Sequence, residues 1–149
     1  MQSHAQTDYM TQPIGETSAT SRTRLWIGRV LTGLTVAFMA VDAAGKLLMP
    51  SFVVEAFARL GFPTGLGPAI GIVLLAATVI YAIPRTSVLG AILLTGFLGG
   101  AVAIQMRAGS PLFETLFPVI FGVIAWAGIL LRDGRLLALV PVRRRRTLA

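Results

Sequence analysis

Four long apolar runs dominate this sequence, and they limit the folds that the chain can adopt. A helix rises about 1.5 Å per residue, so roughly 20 apolar residues are needed to cross a hydrocarbon layer about 30 Å thick. The runs cover about 25–48, 66–83, 88–106 and 112–131. With 55% hydrophobic and 13% charged residues, the chain of 149 residues has more apolar surface than one soluble core can bury. The sequence therefore predicts an all-α integral membrane protein, an antiparallel bundle of four transmembrane helices.

Prolines and short turns separate the runs. Pro50 ends the first run because proline cannot continue a hydrogen-bonded helix, and Pro68 suits the first turn of the second. The connections at 85–87 and 108–110 are tight. Connections this short require neighbouring helices to run antiparallel.

Two polar tails flank the predicted membrane domain, which covers residues 22–142. Residues 1–21 are rich in Ser, Thr and Gln and show no apolar period, which predicts a disordered cytoplasmic tail. Residues 143–149 begin with four arginines and predict a basic cytoplasmic tail. Between the first two runs, residues 51–60 have the amphipathic pattern of a short helix that lies along the membrane interface.

Basic residues are distributed unequally between the two sides of the predicted bundle. One side has nine: Arg22, Arg24, Arg85, Arg132, Arg135 and Arg143 to Arg146. The other side has three: Lys46, Arg59 and Arg107. Aromatic residues suited to an interface lie toward the arginine-rich side: Trp26, Tyr81 and Trp126. Because short loops rich in Lys and Arg stay in the cytoplasm, both termini are predicted to be cytoplasmic. Anionic lipid, rather than nucleic acid, explains the net charge of +7.

Charged residues within the spans are the first functional candidates, because a charge at mid-bilayer costs on the order of 3 kcal/mol. Asp42 and Lys46 are four residues apart with the acid first, the favourable order for a helical ion pair. In an antiparallel bundle, Gln105, Arg107 and Glu114 lie at the same depth in the membrane as Asp42 and Lys46. These five residues predict one polar cluster near the outer leaflet. It is either a site for a polar headgroup or an ordinary solvated mouth of the bundle.

Gly96 and Gly100 form a Gly-x-x-x-Gly motif in the third span. Small residues at this spacing let helix backbones approach closely in membranes. Close packing inside the bundle is the favoured interpretation, and a homodimer contact is the alternative.

Residue content excludes several kinds of chemistry. The chain has no cysteine, which excludes thiol–disulfide exchange, iron–sulfur clusters and cysteine nucleophiles. The single histidine, His4, lies in the polar tail, so haem held between two histidines of the bundle is excluded too. The sequence contains no phosphate-binding loop, nucleophile elbow or zinc motif. Neither metal nor haem is expected, and no motif indicates an enzyme.

Short segments of the spans and turns carry a resemblance to a known family. They are Ala44-Gly45-Lys46-Leu47, Arg59-Leu60-Gly61-Phe62-Pro63, 96–103 followed by Gln105-Met106-Arg107-Ala108-Gly109, and Leu131-Arg132-Asp133. Together they resemble the DoxX-like family of small four-helix bacterial membrane proteins, over about residues 25–143.

This resemblance implies a multi-pass protein of the bacterial inner membrane. The wider group is associated with membrane redox systems, including a thiosulfate:quinone oxidoreductase subunit. The resemblance thus implies a non-catalytic membrane subunit or anchor of a redox or stress-response system, with a redox partner protein and a quinone held in the bundle. At the position of Gln105 the most similar subgroup commonly has His, so this chain departs from the pattern there. A small permease or lipid-binding protein built around the polar cluster is the alternative.

Overall fold

The computed structural model describes residues 16–133 and residue 136, with the main chain alone described for residues 16–21. Regular secondary structure in this part of the chain is entirely helical. Four helices are long and apolar enough to cross a membrane. The predicted all-α fold with four membrane-length helices is therefore confirmed. The predicted tails at 1–15 and 143–149 lie outside the described residues.

Helix α1 spans Glu16–Leu48 and is the longest element, with 33 residues. It begins nine residues before the predicted start at Leu25, so residues 16–21 are helical where the sequence predicted disorder. The helix ends where Met49 adopts a left-handed conformation, with φ of 47°, directly before Pro50. Both residues prevent the helical hydrogen-bond pattern from continuing.

Helix α2 spans Ser51–Arg59, as the amphipathic pattern predicts. Its Phe57 is buried, whereas Glu55 and Arg59 are exposed. Gly61, with φ of 71°, turns the chain after α2, and a 3₁₀ turn at Thr64–Leu66 leads into the next long helix. A left-handed backbone of this kind favours glycine because a Cβ would be strained there.

The three remaining helices match the predicted spans within one or two residues at each end. Helix α3 spans Gly67–Ala82, α4 spans Ser87–Arg107 and α5 spans Leu112–Arg132. Pro68 lies in the first turn of α3, where its missing N–H costs nothing. Pro118 lies inside α5.

The four long helices form a ring in which each contacts two neighbours. Helix α1 packs against α3 and α5, and α4 packs against the same two helices from the opposite side. The contacts show antiparallel neighbours, since the start of α1 meets the end of α5 and the end of α1 meets the start of α3. We call the two ends of the bundle the Lys46 end, which includes α2, and the Arg132 end.

The buried core lies on the inner faces of the ring and is small. Its largest fully buried side chains are Tyr81, Met39, Leu74, Leu94 and Thr35. The outer faces are apolar as well, with side chains such as Val41 and Val123 exposed by 72% and 64%. Exposed apolar residues around a whole bundle match a lipid solvent rather than water.

Glycines set the close approaches between neighbouring helices. Gly28 of α1 and Gly128 of α5 face each other, since a Cβ on Gly28 would lie 3.0 Å from the Gly128 carbonyl oxygen. A Cβ on Gly71 of α3 would lie 3.1 Å from the Ala43 carbonyl oxygen of α1. At Gly90 of α4, a Cβ would collide with the Tyr81 backbone of α3. The contacts of α1 with α5, of α1 with α3 and of α3 with α4 therefore each depend on a residue without a side chain.

Candidate functional site

A cavity of about 680 Å³ lies among the helices at the Lys46 end. Its walls come from α1, α2, α4 and α5, together with Ile70 of α3. Ligand sites in proteins are commonly cavities of roughly 300–1,000 Å³ with apolar walls and a few convergent polar groups. The cavity fits this description in size, and its lining decides which ligands suit it.

Phenylalanine forms much of the wall. Seven of the chain's 8 phenylalanines line the cavity: Phe38, Phe52, Phe57, Phe62, Phe97, Phe117 and Phe121. Phe38 of α1 stacks on Phe121 of α5 with ring centroids 3.9 Å apart, and Phe117 meets Phe38 edge to face at 5.4 Å. Such pairs hold the rings in fixed orientations and present flat apolar surfaces to a ligand.

The Asp42 carboxylate and the Lys46 ammonium form an ion pair with an N–O distance of 2.5 Å at one side of the cavity. The predicted pairing of these two residues is present. The Lys46 side chain is 19% exposed and that of Asp42 is 38% exposed. An ammonium has three N–H donors, so Lys46 can bind Asp42 and still donate to a ligand.

Gln105 and Glu114 supply the other polar groups of the lining. The Ser110 hydroxyl donates to Gln105 Oε1 at 2.6 Å, which orients the amide and leaves its N–H groups as donors. The Arg59 guanidinium of α2 donates to Glu114 Oε2 of α5 at 3.3 Å. Both cavity acids therefore have a basic partner, and the four charges cancel.

Arg107 is the one member of the predicted cluster that does not line the cavity. Its Nη2 atom lies 3.4 Å from the position that a Cβ would take on Gly61. The ion-pair partner of Glu114 is Arg59, because α2 folds over the Lys46 end and brings its last turn to the start of α5. The described ion pair of Glu114 is thus with Arg59, and the grouping of Arg107 with Glu114 stays a prediction.

Gly96 and Gly100 also line the cavity. Both are exposed, and a Cβ added at either would meet no atom of the described residues within 4 Å. The close helix contact expected inside the bundle at this motif is therefore absent from the described structure. The contacts lie at other glycines because the crossing points of α4 fall elsewhere along its length.

Below the cavity, the Arg132 end of the bundle is filled. Tyr81, predicted as an interfacial residue, is fully buried there, and its hydroxyl donates to the Ala125 carbonyl oxygen at 2.9 Å. The Arg132 guanidinium reaches Thr32 Oγ1 at 3.4 Å, and the Arg24 guanidinium donates to the Leu130 carbonyl oxygen at 3.2 Å. The cavity is thus confined to the Lys46 half of the bundle.

A second hollow, of about 490 Å³, lies between α4 and α5. Its lining includes Thr95, Gly99 and Trp126, and the indole N–H of Trp126 donates to the Thr95 hydroxyl at 2.9 Å. That hydrogen bond satisfies the indole N–H, and no charged residue lines this groove between α4 and α5. The cavity at the Lys46 end is the better candidate site because it joins apolar walls to charged groups.

A comparison with protein-family models matches the DoxX-like family to residues 30–128, about two thirds of the chain. The chain belongs to the DoxX-like family. All residues that line the cavity lie within the matched segment, so the DoxX-like region contains the whole candidate site. Comparisons with curated proteins and with solved structures gave no match.

The sequence prediction missed the aromatic wall of this DoxX-like bundle, although the sequence carries a signal for it. Every phenylalanine falls at the middle of a span or closer to the Lys46 end, and none lies near the Arg132 end. Leucine, isoleucine and valine occur along the full length of the spans. This uneven placement of one residue type indicates a specialised half of the bundle.

Proposed function

We propose that this DoxX-like protein is a non-catalytic membrane component that binds an uncharged lipophilic ligand of the quinone class in the cavity at the Lys46 end. The observation that carries the proposal is the lining itself: aromatic rings along the walls, with hydrogen-bond donors from α1 and α4. A quinone has a flat ring with two carbonyl acceptors and an apolar tail. The stacked rings suit its plane, and Lys46 and Gln105 supply donors for its carbonyls.

The balance of charge supports an uncharged ligand. Asp42 pairs with Lys46, and Glu114 pairs with Arg59. A charged headgroup would have to replace one member of a pair and leave the other without its counter-ion. Leaving a partly buried charge unpaired is costly, whereas a neutral carbonyl accepts a hydrogen bond without disturbing the pair.

A permease is the alternative, and the filled Arg132 end weighs against it. A permease needs a path to both sides of the membrane, but Thr35, Leu74, Tyr81 and Leu94 occupy the bundle interior below the cavity. A site confined to the Lys46 half of the bundle suits a protein that holds a ligand for a partner protein of a redox or stress-response system. We place the arginine-rich side, and both termini, in the cytoplasm of a bacterial cell by the distribution of basic residues.

A cavity-filling variant with a matched control tests the proposal. Ala101 lines the cavity, and Ala103, on the same helix, is exposed and does not. Ala101→Phe should abolish saturable binding of a decyl-substituted benzoquinone to the purified protein in lipid nanodiscs, and Ala103→Phe should preserve it. Binding that is equal in the two variants, or absent from the unmodified protein, would refute the proposed function. Substrate-dependent flux by the protein alone in proteoliposomes would favour the permease.

A further inference from the structure

Helix α3 approaches different neighbours at its two ends. At the Lys46 end it lies against α1, where a Cβ on Gly67 would lie 3.3 Å from the Lys46 carbonyl oxygen and Gly71 approaches Ala43 as described above. At the Arg132 end it lies against α4, where Gly90 touches the Tyr81 backbone. The helix is thus held to α1 at one end and to α4 at the other.

The side of α4 that faces α3 follows from the Gly90 contact. Phe97, Gly100 and Ile104 lie seven, ten and fourteen residues after Gly90, so they continue the same face toward the Lys46 end. All three line the cavity, and so does the neighbouring Gly96. This face of α4 is therefore the cavity wall next to α3.

Two glycines of α4 and one residue of α3 form this part of the wall. Ile70 is the residue of α3 that reaches the cavity. On α4, Gly96 and Gly100 line the cavity and are exposed. No atom of the described residues lies within 4 Å of a Cβ added at either glycine, so the wall is open at these two positions.

We propose that the gap between Ile70 of α3 and Gly96 and Gly100 of α4 is a lateral portal through which an uncharged lipophilic ligand passes between the bilayer and the cavity. The inference rests on the proposed function, because it concerns the same cavity. The portal would give the ligand its route of access from the bilayer, and its depth in the membrane would limit the chemical class of ligand that can enter.

The depth of the portal selects the class of ligand. Gly96 and Gly100 lie nine and thirteen residues from Ser87, or about 14 and 20 Å along a helix of about 30 Å. The portal therefore faces the acyl-chain region, from its middle toward the Lys46 end. A charged headgroup at this depth costs on the order of 3 kcal/mol, so phospholipids are disfavoured and neutral rings with apolar tails are admitted.

Binding kinetics measured in nanodiscs test the portal. Trp26→Phe, Trp126→Phe and Phe62→Trp together leave one tryptophan, at the cavity, whose fluorescence a decyl-substituted benzoquinone quenches. Gly100→Leu in this background narrows the portal. Gly99→Leu is the matched control, because Gly99 is equally open but lines the groove between α4 and α5.

We expect Gly100→Leu to lower both the association rate and the dissociation rate, on the order of tenfold, and Gly99→Leu to leave both rates unchanged. A narrowed portal raises the barrier both to entry and to exit, so both rates must fall. Unchanged rates, or a Kd raised through faster dissociation alone, would overturn the portal. Gly96→Leu provides the same test if Gly100→Leu fails to fold.

Access beneath α2 is the competing route, and a cross-link separates the two. The chain has no cysteine, so a bis-maleimide can join Arg59→Cys to Glu114→Cys and hold α2 against α5. Association as fast after cross-linking as in the same double-cysteine protein before cross-linking supports the portal, and strongly slowed association overturns it. If the single-tryptophan protein shows no saturable quenching, the proposed function fails, and the portal fails with it. If it binds normally and Gly100→Leu has no effect, the portal alone fails.

Discussion

Replacing Gly90 with alanine should destabilise the bundle more than any other single added methyl group on α4. The new Cβ would collide with the backbone of Tyr81 and lie 2.6 Å from the Tyr81 Cβ. Backbone atoms cannot rotate away as a flexible side chain can, so α3 and α4 must move apart. Forcing extra volume into a packed contact costs about 1–3 kcal/mol.

A second cost follows from the position of Tyr81. Its side chain is fully buried, and its hydroxyl donates to the Ala125 carbonyl oxygen of α5. A shift of α3 away from α4 also moves this hydroxyl, and a lost hydrogen bond costs about 1 kcal/mol. We therefore expect Gly90→Ala to lower the free energy of unfolding by about 2–4 kcal/mol.

Gly100→Ala is the control, since its methyl group meets no described atom within 4 Å. Alanine has the better helix propensity, so this change should be neutral or stabilise by up to about 1 kcal/mol. Reversible unfolding in mixed micelles of dodecyl maltoside and dodecyl sulfate, followed by circular dichroism, measures both variants. If Gly90→Ala is as stable as Gly100→Ala, the reasoning about the α3–α4 contact is wrong.

Three further predictions concern the charged residues. Asp42→Asn and Lys46→Met should each lower stability by about 2 kcal/mol, and the double variant should recover part of the loss; additive losses in micelle unfolding would contradict the ion pair. Arg59→Gln should couple to Glu114→Gln by less than about 1 kcal/mol, because Arg59 is 64% exposed, and Arg107→Gln should not couple at all. Coupling of Arg107 to Glu114 in the same cycle would support the grouping predicted from sequence. A fluorescent protein fused to the C-terminus should fluoresce, and alkaline phosphatase fused there should be inactive; the reverse would invert the proposed topology.

The sequence was sufficient to locate the helices because hydrophobicity over a bilayer's thickness is a local property. Each span needs only its own apolar residues, and proline or a polar turn marks its ends. The same holds for α2, whose apolar and charged residues separate on a helix of nine residues. The early start of α1 was missed because residues 16–21 are polar and give no apolar signal.

The helix contacts were harder to predict because they depend on where two helices cross. The motif at Gly96 and Gly100 has the right spacing for packing but faces a cavity. Gly67 and Gly71 have the same spacing in α3, and they do approach α1. Spacing along one helix does not identify its partner, so sequence alone cannot separate the two cases.

The candidate site was predicted only in part, because some of its contacts lie within one helix and others depend on how separate helices pack. Asp42 and Lys46 pair within one helix, so their spacing was sufficient. The partner of Glu114 comes from α2, whose position over the Lys46 end depends on the turns at Met49 and Gly61. The cavity arises from the way the helices diverge, which no local pattern of residues records.

Photolabelling with an azido-quinone tests directly whether the cavity at the Lys46 end binds a neutral quinone-class ligand. The full-length protein in liposomes would be irradiated with the probe, and the modified peptides would be mapped by mass spectrometry. We predict adducts that concentrate on the cavity walls, at Phe38, Phe117 and Phe121, and that excess unlabelled quinone removes. Adducts spread over lipid-facing residues such as Val41 and Val123, and insensitive to competitor, would contradict a binding site in the cavity.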